Sequence, residues 1–244
     1  MFILFKKEIR AFLSSLIGYI AICVFLLLVG LFLWVLPTAD SNILNNGYAG
    51  LDALFSLAPW VFLFLIPAIT MRSFADEKKA GTIEFLLTKP LTDIQIIFAK
   101  YFASVTLVLF SLLPTLIYYF TIYKLGNPVG NIDSGGTWGS YIGLFFLAAA
   151  FTAIGVFASS LSDNQIIAFI LSVFLCFFCY IGFDYISILD LFGKVDDLIL
   201  SIGINDHYMS MSRGVIDTRD MIYYLSIIGI FILLTKTTLE SRKW

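Results

Sequence analysis

The sequence predicts an all-α integral membrane protein with six transmembrane helices and both termini in the cytoplasm. Three observations carry this reading. The 244 residues are 60% hydrophobic and only 13% charged, whereas soluble domains carry about 25% charge, so a soluble fold of this length could not hide its apolar side chains. Those side chains fall in continuous runs approaching the ~20 residues that cross a hydrocarbon core, not in the alternation of a β-barrel. The basic residues gather on one side of the resulting map.

The six runs are Leu16–Leu36, Leu54–Met71, Tyr101–Tyr123, Gly139–Leu161, Ile166–Phe183 and Met221–Thr235. The sixth is short and reaches spanning length if Lys236 snorkels to the interface. The first is too long for a signal-peptide core and ends in a poor cleavage site, Leu36-Pro37-Thr38-Ala39, so it reads as an uncleaved span. Ahead of it, Phe2, Phe5, Ile9, Phe12 and Leu13 recur at helical spacing, with Lys6, Lys7 and Arg10 on the other side. This predicts an amphipathic interfacial helix over residues 1–14; a plain basic flank to the first span is the alternative. Thr92-x-x-Gln95 and Ser162-x-x-Gln165 read as capping boxes opening spans three and five. Ser162–Gln165 is the whole connection between spans four and five, which makes them antiparallel neighbours. Pro59, Pro67 and Pro114 fall within spans and predict kinks. The Gly and Ala of GLFFLAAAFTAIGVFASS predict close packing of span four on another helix.

Orientation follows from the cations. Lys6, Lys7, Arg10, Arg72, Lys78, Lys79, Lys89, Lys100, Lys236, Arg242 and Lys243, eleven of the fifteen Lys and Arg, fall at the termini or between spans two and three. The opposite connections hold Lys124, Lys194, Arg213 and Arg219 among ten Asp. The net charge of −2 is too small to point to nucleic acid. The outer segment 184–220 is too long for a plain connector. Its half-apolar pieces, YISILDLFG and VDDLILSIGI, read as short helices that lie on or re-enter the outer leaflet, with Asp196 and Asp197 facing water. His207, the single His, reads as a surface or packing residue, since one imidazole makes no metal site. Cys176 and Cys179 form a C-x-x-C inside an apolar run and read as small residues on one helix face.

Little here can carry catalysis. There is no G-x-x-x-x-G-K-[ST] phosphate loop, no G-x-S-x-G and no H-E-x-x-H, so no catalytic, cofactor-binding or metal-ligating residues are assigned. Charges inside spans, the usual mark of ion pathways, are nearly missing, with Asp184 and Lys236 at span ends. These absences disfavour a proton-coupled transporter, a charged channel filter and an intramembrane protease.

The most informative stretch is MRSFADEKKAGTIEFLLTKPLTDIQ, Met71–Gln95, which interrupts the apolar chain with a polar cytoplasmic segment. Gly81 ends what precedes it, Thr82 is placed to cap a new helix, and Glu84 sits in that helix's first turn, where negative charge suits the dipole. Pro90 stops the helix and biases Lys89 away from helical geometry. Ile83, Phe85, Leu86 and Leu87 give this piece more apolar surface than a solvated loop should show. Such a helix suits a groove on a cytoplasmic partner. A helix resting on lipid headgroups or on its own spans is the bland alternative.

These residues also carry a resemblance. The string from Ile66 to Thr92, IPAITMRSFADEKKAGTIEFLLTKPLT, followed by Lys100-Tyr101, resembles the first cytoplasmic loop of type-2 ABC-transporter permeases. The likeness continues through Leu161–Gln165 and SRGVIDTRD (Ser212–Asp220) to Leu239–Arg242, and so covers essentially the whole chain. Within that family it is most similar to the gliding-motility-associated permease subunits of Bacteroidetes, and next to the permease of the nitrous-oxide reductase maturation system. The resemblance implies one permease domain over residues 1–244. It implies a coupling helix within the cytoplasmic loop 74–98, carried by Gly81, Thr82, Ile83, Glu84, Phe85, Leu86, Lys89 and Pro90. It further implies re-entrant outer helices within 184–220, a separate ABC ATPase that binds ATP and Mg²⁺, and a second permease half, identical or related. On this reading the chain is an inner-membrane permease subunit, an exporter linked to gliding motility. An ATPase-independent scaffold or channel, and a membrane-embedded enzyme, are the alternatives from other classes.

Overall fold

The computed structural model describes residues 1–37, 41–45, 47–82, 92–188, 193 and 196–241, and among these the regular structure is helical throughout. Helix α1 (Phe2–Leu13) ends at Ser14, and Ser15 caps α2 (Leu16–Gly30), its hydroxyl accepting the Gly18 N–H at 3.2 Å. A π-helical turn, Leu31–Val35, completes the first span. Helices α3 (Asp52–Thr70) and α4 (Arg72–Lys79) form one rod that bends at Met71. Helix α5 (Asp93–Leu112) passes through a 3-10 turn at Leu113–Thr115, which holds Pro114, into α6 (Leu116–Leu125). Helix α7 (Ser134–Leu161) is the longest single helix. Span five comprises α8 (Gln165–Phe177), a π turn at Phe178–Gly182 and α9 (Phe183–Ile188). Short helices α10 (Asp196–Leu200) and α11 (Ile204–Met211) precede α12 (Thr218–Glu240).

Six helical stretches are long and apolar enough to cross a membrane: Leu16–Val35, Asp52–Lys79, Asp93–Leu125, Ser134–Leu161, Gln165–Ile188 and Thr218–Glu240. They correspond one to one with the six apolar runs. Spans two and three extend well beyond their runs on the polar side. Hydropathy marks where the apolar run stops, while Ala75, Glu77, Lys78 and Lys79 are good helix formers that let the helix of span two continue past it.

Span four is the axis of the bundle. In its most apolar window 78% of residues are buried, against 22% in spans one and six. The small residues explain this position, because a glycine lets a neighbouring helix approach to backbone distance. A Cβ on Gly155 would lie 2.9 Å from Thr70 Cβ, and one on Gly143 would lie 2.6 Å from Met211 Cβ. The expected close packing of span four is therefore present, against α3 at one end and α11 at the other.

The two ends of the bundle are chemically distinct. Leu4, Phe74, Ile96 and Leu239 share one buried cluster, which brings both chain ends and the polar loop to the same end, as an even number of spans requires. At the other end, Tyr208 of α11 donates from its hydroxyl to Phe55 O at 2.6 Å. Burial pushes that phenol well above its ordinary pKa, so it remains a donor.

Two local expectations are corrected. The box at Ser162-x-x-Gln165 does not form: Asn164 caps α8 through its Oδ1, which accepts the Ile166 N–H at 2.9 Å. Gln165 instead donates from its Nε2 to Asp76 Oδ1, a charge-assisted bond that holds its side chain against α4. At span three the Thr92 N–H does donate to Gln95 Oε1, at 3.3 Å, as a capping box requires. Asp196, expected to face water, is only 7% exposed, since α10 folds back against α9 and turns its first residue inward. His207 packs, as expected, with its ring stacked on Tyr223, and both ring nitrogens also find partners: Nδ1 lies 2.7 Å from Asp220 Oδ1 and Nε2 3.0 Å from Ser201 O. That arrangement ties the outer helices to the start of span six.

Candidate functional site

The site is assembled where α4 leaves the bundle. Helix α4 ends as the sequence predicts, on glycine. Gly81 has φ +66°, its N–H donates to Lys78 O at 3.1 Å, and the Thr82 N–H reaches back to Glu77 O at 2.9 Å. These two bonds are the Schellman pair that closes a helix whose C′ residue adopts the left-handed region. A side chain at position 81 would meet nothing within 4 Å, so the glycine is there for its backbone and not for space. Thr82 is exposed, with its hydroxyl 3.4 Å from Glu77 O. Ile83, Glu84, Phe85, Leu86, Lys89 and Pro90 lie outside the described residues. The described part of the site is thus the mount from which that segment departs.

The mount is rigid on two sides. On one, the end of span four grips the bend at Met71. Ser159 Oγ accepts the Phe74 and Ala75 N–H groups at 3.0 and 3.2 Å, and donates to Met71 O at 2.9 Å. One buried hydroxyl therefore satisfies the backbone groups that the bend leaves free. Lys78 reaches Ser160 O, and Asp76 receives Gln165 from the head of span five. The Ser162–Gln165 turn and α4 are in this way locked together.

On the other side stands Lys100, two turns into α5 and only 2% exposed. Its ammonium lies 3.1 Å from Glu8 Oε1 of α1 and 3.0 Å from Glu77 Oε2 of α4, and it donates to Ser73 O at 2.6 Å. The Phe74 ring lies beneath it, 5.1 Å from ammonium to centroid. Lys7, more than half exposed, adds a contact to Glu77 Oε1 at 3.4 Å. A buried cation demands compensation, and here a single cation of α5 draws its partners from two other elements, α1 and α4. It pins the interfacial helix, the rod of span two and the base of span three at one point.

The sequence reading counted Lys100 as a basic residue at the end of a loop. That assignment misses its burial, because the helix starts at Asp93 and the apolar run only at Tyr101. Glu8 and Glu77 carried no signal of their own. The usable hint was a Lys flanked by Ala99 and Tyr101 at helical distance from an apolar run. Lys79, by contrast, is exposed as expected.

Taken together, these contacts join α4 to α1, α5, the end of α7 and the head of α8. Among the described residues no set of His, Cys, Asp or Glu is arranged to hold a metal. A family model described as ABC-2 family transporter protein matches residues 2–239. No curated protein matches the chain.

Proposed function

The chain belongs to the ABC-2 family of transporter proteins and is a transmembrane subunit of an ABC transporter, and from that premise we propose that α4 and the segment after it form the lever through which ATP hydrolysis is coupled to the bundle. The ATPase lies in a separate subunit. It docks on Gly81–Pro90, with Phe85, Leu86 and Glu84 as anchors, and its closure on ATP and Mg²⁺ drives the rod of span two. Two six-span halves, identical or related, line the path in the inner membrane. The observation that carries this reading is the Lys100 pin, which joins α4 to two other elements immediately behind the departing segment.

The finer assignment, an exporter serving gliding motility, is supported by the SRGVIDTRD segment and by the Phe- and Ile-rich style of the spans.

The test is a pull-down of the cognate ATPase by purified permease variants. Burying Phe85 or Leu86 in a groove is worth about 1.5–3 kcal/mol each, so Phe85→Ala or Glu84→Lys should insert normally yet lose ATPase recovery and function in cells. Lys79→Gln, on the solvated side, should retain both. A segment resting on lipid would respond in the opposite sense to Glu84→Lys, since added positive charge strengthens attraction to anionic headgroups. Undiminished ATPase recovery with both helix variants would sink the assignment.

A further inference from the structure

Far from the coupling end, the outer ends of spans two and five and helix α11 line a cleft of about 670 Å³, within the size range of small-molecule sites. Its walls are aromatic: Phe55 and Trp60 from α3, Tyr180 and Tyr185 from span five, and Tyr208 from α11. Trp60 and Tyr180 meet edge to face, their centroids 6.3 Å apart. Trp60 and Tyr185 are nonetheless 49% and 62% exposed, so their faces are available to a ligand.

The polar groups of the cleft are mostly committed to the protein. The Ser56 hydroxyl donates to Ala53 O, Ser212 to Met209 O and Tyr208 to Phe55 O. Asn205 Nδ2 donates to Asp184 Oδ2 at 2.6 Å. The other oxygen of Asp184 is buried and has no hydrogen-bond partner among the described residues. That oxygen keeps an acceptor that no described protein group fills. Arg213 is the cleft's one cation among the described residues. It lies on the wall shared with a second cleft, together with Asp52, and makes no ion pair with Asp184. An Asp side chain with no ion-pair partner among the described residues, set among open aromatic faces, is the chemistry that selects organic cations.

We propose that this cleft binds a lipophilic organic cation, an amine or quaternary onium centre carried on an apolar body. The cation sits by Asp184 and on the faces of Trp60 and Tyr185, while the body lies against Ile181, Ile188 and Met209. Binding at this end needs no ATPase, so it is read on the permease alone, and its failure would leave the coupling assignment at Gly81–Pro90 untouched.

The experiment is equilibrium dialysis of the purified permease in a neutral detergent against two ions of the same shape and opposite charge, tetraphenylphosphonium and tetraphenylborate. The phosphonium should bind saturably at one site per chain, and the borate should not. Asp184→Asn, which keeps a partner for Asn205, should weaken phosphonium binding by about tenfold, the loss of one charge contact. Asp184→Glu should retain binding, which separates charge from misfolding. Trp60→Ala should weaken it, and Asp133→Asn, outside the cleft, should not. Equal uptake of both ions, or Asp184→Asn binding phosphonium as the parent does, overturns the proposal.

Discussion

Replacing Lys100 by Met removes the ammonium and keeps the length of the side chain, and the structure sets the size of the effect. The substitution deletes contacts of 3.1 and 3.0 Å to two carboxylates and one of 2.6 Å to a backbone carbonyl. Glu77 Oε2, a buried atom, has no other partner among the described residues. Breaking a buried pair from one side costs about 3–5 kcal/mol. Glu8 and Glu77 retain 21% and 14% side-chain exposure, and Lys7 stays near Glu77, so water and a second cation recover part of that loss. The expected cost is about 2–3 kcal/mol, or roughly 4–12 °C of melting temperature for a chain of this size. Thermal unfolding of the purified permease in detergent measures it. Adding Glu77→Gln to Lys100→Met removes the orphaned charge and should restore much of the lost stability. ATPase-dependent function should stay lost, because the tie between α4 and α5 is still missing. Lys100→Met melting with the parent protein, or the double variant melting below the parent by the sum of the two separate effects, would refute the account of Lys100 as a charge-compensated pin.

Three other outcomes are expected. Gly81→Ala should cost about 1–2 kcal/mol through the left-handed backbone alone, since no atom stands in the way of a methyl group there; Gly81→Asn should cost less, and thermal melts of both variants check the order. Gly143→Leu should lower the yield of folded protein sharply in size-exclusion profiles, because even a Cβ would meet Met211 at 2.6 Å, whereas Gly229→Leu, with open space around it, should be tolerated. In a Cys-free background, a single Cys at the exposed Lys79 should react with an impermeant thiol reagent only from the cytoplasm and one at Val129, 70% exposed, only from outside; labelling of position 79 from outside would invert the topology.

Much of this protein is written in one-residue properties. Whether a segment lies in lipid depends on the sum of its own side chains, so the six spans were legible from the apolar runs alone. The same holds for Gly81, whose missing Cβ ends a helix wherever a left-handed residue is needed, and for the small residues that mark span four as a close-packed helix. The positions of the basic residues predict the sidedness for the same reason. What the sequence could not show are pairings between distant elements. Lys100 reads as an ordinary interfacial cation until α1 and α4 bring Glu8 and Glu77 to it, across sequence separations with no periodic signature. Gln165 matches a capping box locally, but its amide donates to Asp76 of another helix, a partner that the local sequence does not reveal. Asp196 looks solvated in a string of polar residues, and only the fold of α10 onto α9 buries it. His207 looks isolated until span six presents Asp220. Local propensity and hydropathy act on each residue where it stands, whereas a buried polar group takes whichever partner packing delivers, and that choice is made only when the helices have met.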